Sequence, residues 1–426
     1  MDGLKTYIDK AGGWVSRKLG GDKIVWTIVF ILSMFSLVAV YSASSYRAVS
    51  TDSSKIAIFL EQAVLVLMGW GALILCYFIH PKYYRKWSFI IFGGSVLLLL
   101  LLFIPSLRAE QNGAIRGLKL FGRTIQVFEV AKVAIIIYLA RAMEIFRIGT
   151  FKDYLIKLLL PIAIVCVLLL RGSFSSAVFM ALICMIILWI NKINWKYLAL
   201  TVCGGIVVLG GCYSLYLATK DNENPLFARF GTAESRIEDF FHPKDMEEQM
   251  QGMTELQKQI MLDSERQSEN AKIAIHEGGL IGKGPGKSTQ RYTLSMAFSD
   301  FIYAFIIEEY GSIIGILIMF MYIWLFARCA KLSAKCKTTF ASTIVFGLGL
   351  LTTFQALMHI YVNIRMIPIT GHTLPLISHG GTAFLVFSGI FGIILSVSKS
   401  IEEIDTAKID IEPAALQEGG KNESDN

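Results

Sequence analysis

Apolar residues in this chain gather into ten long runs, at approximately residues 23–43, 57–79, 87–105, 127–146, 155–170, 175–191, 197–218, 300–327, 341–362 and 374–398. Runs of about 17 to 25 residues match the length a helix needs to cross a hydrocarbon core of about 30 Å. The first run has the position of a signal peptide, but the 22 residues before it are too many and too mixed for a basic leader, so it is read as a retained helix. The pattern predicts an all-α polytopic membrane protein with ten transmembrane helices.

Composition agrees with this pattern. Of the 426 residues 54% are hydrophobic and 17% charged, with a mean hydropathy of +0.56, against roughly 25% charged in an average soluble domain. That surplus excludes a conventional cytosolic enzyme. The net charge of +7 does not point to nucleic acid, because Lys and Arg sit mostly between the apolar runs, where they set topology. Short loops on the side that holds both termini carry twenty of them and the opposite loops eight, which predicts that both termini are cytoplasmic. Residues 219–299 then form a large extracytoplasmic loop between helices 7 and 8, with 24 charged residues from Lys220 to Asp300. A connection that long is where chemistry is expected. The chain thus divides into a cytoplasmic N-terminal segment (1–22), a membrane domain (23–398) and an acidic cytoplasmic tail (399–426) of disordered composition. Its seven cysteines, without CxxC spacing, indicate neither a disulfide framework nor a zinc site.

Several constellations carry candidate chemistry. Gly278 to Thr289 reads GGLIGKGPGKST, but a phosphate loop would need glycine where Ile281 stands and a strand before it, so nucleotide binding is rejected. A flexible turn or a backbone anion cradle remains, the latter offering N–H groups with Lys283, Lys287 and Arg291 to a lipid-linked phosphate. Asp300, at the junction of this loop with the eighth span, is either a helix cap or a general base whose pKa is raised by desolvation. Glu129 and Lys132, three apart in the fourth span, share a helical face and are expected to pair, because unpaired charge in lipid is costly. Glu308, Glu309 and Arg365 are expected to face a polar cavity. His276, His359, His372 and His379 lack metal-ligand spacing and are read as satisfied polar residues; the neighbours Ser378 and His379 do not make a nucleophile and base, so a serine hydrolase is discarded.

The stretch Pro368-Ile-Thr-Gly-His-Thr-Leu-Pro-Leu-Ile-Ser-His-Gly-Gly381 resembles the TG-x-T-L-P-x-I-S-x-G-G signature of the SEDS family (shape, elongation, division and sporulation proteins, FtsW/RodA/SpoVE-like). Lys272-Ile-Ala-Ile, the run from Gly278 to Gln290, Ser299-Asp-Phe-Ile-Tyr-Ala304 and Glu308-Glu-Tyr-Gly311 resemble the family's central loop and following helix. A weaker likeness lies in Asn112-Gly-Ala-Ile-Arg116, Gln126-Val-Phe-Glu129 and Ala131-Lys132. The resemblance covers about residues 20–400, and the GKGPGKSTQ form leans toward the division-type FtsW branch over RodA. The chain departs from the family at Arg116-Gly117 (usually Arg-Trp), Gln126-Val-Phe-Glu129 (QPSE), Gly172-Ser-Phe-Ser-Ser176 (Pro-Asp-Leu-Gly-Thr), Leu294-Ser295 (Leu-Pro) and Phe298-Ser-Asp300 (His-Thr-Asp).

The resemblance implies an inverting peptidoglycan glycosyltransferase that polymerises lipid II at the outer face of the cytoplasmic membrane. It maps the essential aspartate onto Asp300 as general base, and makes Arg116, Glu129, Lys132, Lys283, Gln290, Arg365 and Ser378 candidate substrate-binding residues. The leaving diphosphate needs cations; Arg116, Lys283 and Arg365 are candidates, as is a divalent ion, Mg2+ or Mn2+. Expected partners are lipid II, a single-span class B penicillin-binding protein transpeptidase and other divisome proteins. The rival readings are a lipid II flippase, which would also use a polar intramembrane cavity, and a scaffold for the transpeptidase. The lack of an obvious internal repeat and the concentration of motif residues on one membrane face speak against the flippase.

Overall fold

The computed structural model describes residues 20–44, 54–111, 114–120, 123–218, 231, 234, 236, 267, 269–290 and 298–419. Among these, ten long helices follow one another: α1 (Lys23–Ala43), α2 (Lys55–Phe78), α3 (Pro81–Leu101), α4 (Val127–Ile145), α5 (Phe151–Leu170), α6 (Phe174–Ile190), α7 (Trp195–Ala218), α8 (Ile302–Lys335), α9 (Thr339–Asn363) and α10 (Thr382–Gly419). Eight are each long and apolar enough to cross a membrane; the other two are α6, with 17 residues, and α4, which carries Glu129, Lys132, Arg141 and Glu144. Several starts are written locally. Asp22, Ser54, Ser173 and Thr338 each accept first-turn N–H groups as N-caps, and Pro81 opens α3, where its missing N–H costs nothing.

Helices α4, α9 and α10 form the centre. Within the protein 72% of the most apolar stretch of α9 and 67% of that of α10 are buried, against 0% for α7, whose Ile206, Val207 and Val208 point outward. In a bilayer such side chains meet lipid and need no protein cover, whereas the charges of α4 do, and Glu129 and Lys132 are both buried. Helix α8 packs along α9, and α10 along α2. Helix α8 is kinked at Gly311, whose φ of 84° and ψ of 166° interrupt the helical path.

Three features differ from the sequence reading. Residues 374–381 form a loop and α10 begins at Thr382, because Pro375 and the positive φ of Leu376 (61°) and Gly381 (54°) cannot continue a helix. At its other end α10 runs on through Gly419, past the expected span boundary at 398. Between α3 and α4 lies a three-stranded antiparallel sheet, β1 (Arg108–Gln111), β2 (Ala114–Leu120) and β3 (Arg123–Ile125), in that spatial order, with Leu118 paired to both Arg108 and Ile125. Strands of 4, 7 and 3 residues are too short to leave a hydrophobic signal of their own.

Candidate functional site

Asp300 lies, partly exposed, in the turn before α8. It is not the cap of that helix. The N-cap position is Phe301, which makes no side-chain cap, and the amide of Ala304 is met from α9 by Asn363 Oδ1 at 3.0 Å. Three successive main-chain oxygens around the aspartate are held from elsewhere in the fold. That of Phe298 accepts from the His379 amide at 2.9 Å, that of Ser299 from the Ser378 hydroxyl at 2.9 Å, and that of Asp300 from Asn363 Nδ2 at 3.0 Å. The loop that supplies Ser378 and His379 is itself braced, since Ser378 Oγ accepts from the Leu374 amide at 2.9 Å and the Tyr322 hydroxyl donates to the Pro375 oxygen. Ser378 is thus brought to Asp300, but with its hydroxyl engaged as a strut.

The expected Glu129–Lys132 pair is formed: Lys132 Nζ donates to Glu129 Oε1 at 2.8 Å and to Gln355 Oε1 at 2.6 Å, with the Phe179 ring centre 5.5 Å away. Gln355 Nε2 donates onward to the Thr373 oxygen at 3.3 Å, and His359 Nδ1 to the His372 oxygen at 2.7 Å. Gln355, His359 and Asn363 follow one another at intervals of four and so share a face of α9 that leads from the charge pair to Asp300. The sequence reading passed over Gln355 and Asn363 and gave His359 no role at the site. Their signal was present as a polar stripe of period four inside an apolar run. His379 Nδ1, from the loop before α10, donates to Gln62 Oε1 at 2.6 Å.

The glycine-rich loop is folded onto the kink of α8. A continuous helix would bond Ser312 N to Glu308 O and Ile313 N to Glu309 O. Instead the Glu308 and Glu309 oxygens accept from Lys283 N and Gly284 N, each at 2.9 Å, while Ser312 N and Ile313 N donate to Gly279 O at 3.0 Å and Leu280 O at 3.4 Å. The exchange requires close approach, and a Cβ on Gly278, Gly282 or Gly311 would overlap main-chain atoms across the contact. The anion cradle read in the sequence is therefore filled by the chain's own carboxylates. Glu308 accepts from Ser288 Oγ at 2.5 Å, Thr289 N at 2.8 Å, Lys283 Nζ at 3.0 Å and Gln290 N at 3.3 Å, and Glu309 Oε1 from Ser42 Oγ at 2.7 Å and Gly286 N at 3.0 Å. Glu308 is thus wrapped by the loop, Glu309 is held between the loop and Ser42 of α1, and both carboxylates are buried. Lys283 also donates to Glu277. That bond, ahead of one from Thr289, holds the Glu277 carboxyl below its ordinary range; burial works against the Lys283 charge, but its bonds to Glu277 and Glu308 raise its pKa on balance.

Arg365, at a φ of 56°, pairs with Glu269 at 2.6 Å on the surface. Arg116 lies on β2, its side chain outside the described residues, as are Arg291, Leu294 and Ser295 entirely. A Cβ on its neighbour Gly117 would sit 2.7 Å from the Ile125 oxygen on β3, so the departure from Arg-Trp is built into this sheet. Ser173, in another departure, is the N-cap of α6. Among the described residues no three His, Cys, Asp or Glu side chains converge on a point that could hold a metal ion.

A family model described as cell cycle protein (FtsW/RodA/SpoVE) matches residues 22–403. A protein from Enterococcus hirae named "Probable peptidoglycan glycosyltransferase FtsW" is 29% identical over 396 residues, covering 90% of this chain and 93% of its own length. The protein of that name from Bacillus subtilis (strain 168) is 28% identical over 396 residues, 90% of this chain and 92% of its own. Of solved structures, the Thermus thermophilus rod shape determining protein RodA aligns at 21% identity with a TM-score of 0.61, over 90% of this chain and 98% of that one. A chain of a peptidoglycan synthase complex that coordinates polymerization and crosslinking aligns at 20% identity with a TM-score of 0.66, over 90% and 99%. The two structural likenesses establish a shared fold, and the match across residues 22–403 establishes the lineage: the chain belongs to the FtsW/RodA/SpoVE family of cell cycle proteins.

Proposed function

We propose that this protein is a peptidoglycan glycosyltransferase that polymerises lipid II at the outer face of the cytoplasmic membrane, with both termini in the cytoplasm and a role in division. Family membership and the named activity of FtsW relatives support the reaction class. The observation that carries the site is Asp300, in a backbone held at three successive oxygens and next to a buried network that ends in Glu129 and Lys132. In the proposed reaction a sugar hydroxyl of one lipid-anchored chain attacks the anomeric carbon of another, Asp300 takes the hydroxyl proton, and the diphosphate leaves from the opposite face, inverting the centre. Confinement of both substrates to the bilayer supplies proximity.

Arg365 suits the diphosphate, because an exposed pair such as Arg365–Glu269 is worth little and exchanges readily for a better anion. Arg116 is a second cation by its place in the chain. Lys283 through its side chain and Gln290 through its main-chain amide bond Glu308, and act on substrate through the loop they brace. A divalent ion, Mg2+ or Mn2+, would draw its ligands chiefly from diphosphate oxygens and water. A class B penicillin-binding protein is the proposed partner, supported by the likeness to a chain of a peptidoglycan synthase complex.

The test is to incubate purified protein, alone and with its cognate transpeptidase, with labelled lipid II, running Asp300→Asn beside it. Polymer from wild type and none from the folded mutant is the expected result. Full activity in the mutant would refute the base assignment, and no polymer from folded wild type under either condition would move the reading to lipid transport or scaffolding.

A further inference from the structure

We infer that Asn363 is a positioning residue for Asp300, holding the aspartate's main chain where its carboxylate meets the acceptor hydroxyl; this rests on the glycosyltransferase reading above. Asn363 is the last residue of α9 and is 1% exposed. Both ends of its carboxamide are used. Oδ1 accepts from Ala304 N at 3.0 Å, while Nδ2 donates to Asp300 O at 3.0 Å and to His359 O at 2.8 Å. The contacts at 300 and 304 bracket the first turn of α8, so one planar group sets both the peptide that follows the aspartate and one unpaired first-turn amide, that of Ala304. Phe301, at the N-cap, has no hydrogen-bonding side chain, and the Ala304 amide is met from α9 instead.

The chemistry of the contact selects Asn. It needs an acceptor for Ala304 N and a donor for Asp300 O on one short, rigid side chain; a carboxylate lacks the donor and an aliphatic side chain lacks both. Of the three anchors on residues 298–300, Asn363 alone comes from α9, and that helix also carries Gln355 against Lys132. The buried charge pair and the aspartate thus hang from one helical face, which fixes their separation.

Two variants separate positioning from capping. Asn363→Leu removes both contacts at similar volume, whereas Asn363→Asp keeps the acceptor for Ala304 and loses the donor to Asp300. Each is purified as the full chain beside wild type and Asp300→Asn, with the transpeptidase present if wild type requires it. Hydrogen exchange is read over residues 298–306, and kcat and KM with labelled lipid II. Asn363→Leu is expected to exchange faster at Ala304 while residues 340–355 stay protected, and to lose kcat by about 100-fold, the cost of a misplacement of about 1 Å, with little change in KM. Asn363→Asp is expected to keep Ala304 protected and still lose kcat at neutral pH, its rate relative to wild type rising as the pH falls and the new carboxyl gains a proton to donate. A merely structural cap predicts wild-type kcat for Asn363→Asp at every pH, and that result overturns the inference even if Asn363→Leu fails to fold. Wild type that makes no polymer overturns the glycosyltransferase reading; active wild type with both variants at full kcat overturns the role of Asn363 alone.

Discussion

The hydroxyl of Ser378 donates to the main-chain oxygen of Ser299 at 2.9 Å, joining the loop before the last helix to the residue beside Asp300. The same hydroxyl accepts from Leu374 N at 2.9 Å. Ser378→Ala strands the buried Leu374 amide, at a cost of about 1–3 kcal/mol when left unmet, and frees the partly buried Ser299 oxygen. Lower melting in detergent together with a several-fold loss of lipid II polymerisation is the expected outcome. Unchanged values of both would show that the strut does not matter.

Lys132 is the counter-charge of Glu129 and a donor to Gln355, all within the protein interior. Lys132→Met leaves the Glu129 carboxylate buried and uncompensated, at a cost of about 3–5 kcal/mol. Replacing Glu129 by Gln at the same time should recover much of the loss. A double-mutant cycle on thermal melting measures this, and additive single effects would mean that the two side chains do not act as a pair.

Gly311 is the point where α8 trades its own hydrogen bonds for those of the glycine-rich loop, and a Cβ there would overlap the Leu280 oxygen. Gly311→Ala is therefore expected to detach the loop, raising exchange at Lys283 and Gly284 by at least about tenfold, the equivalent of about 1.4 kcal/mol. Activity should fall with it. Wild-type protection in the variant would contradict the exchanged pairing.

The Glu277–Lys283 contact gives the loop a pH window. The Glu277 carboxyl is held below its ordinary value of 4.5, so its contribution is present above that pH and is lost as pH falls through the lower folded value. Lys283 is raised above 10.5, so its contribution is present below that pH and is lost as pH rises through the higher folded value. Protease protection of the loop should be flat between these limits and decline outside them. Glu277→Gln should remove the acid limb and leave the alkaline one; an unaltered acid limb would assign it to another group.

Membrane spans were legible in the chain because lipid imposes a length and an apolar composition that hold for each helix separately. The Glu129–Lys132 pair was legible for the same reason: at a spacing of three on one helix, the partners are fixed by helix geometry alone. Asp300 came into view through its motif. What the tertiary structure decided is everything whose partner lies far along the chain. The bonds from Ser378 to Ser299 and from Asn363 to Asp300 span 79 and 63 residues, and the carboxylates of Glu308 and Glu309 occupy amides that the glycine pattern by itself offers to a phosphate. A sequence records which donors and acceptors exist; which of them meet depends on how helices pack, and no local spacing encodes that.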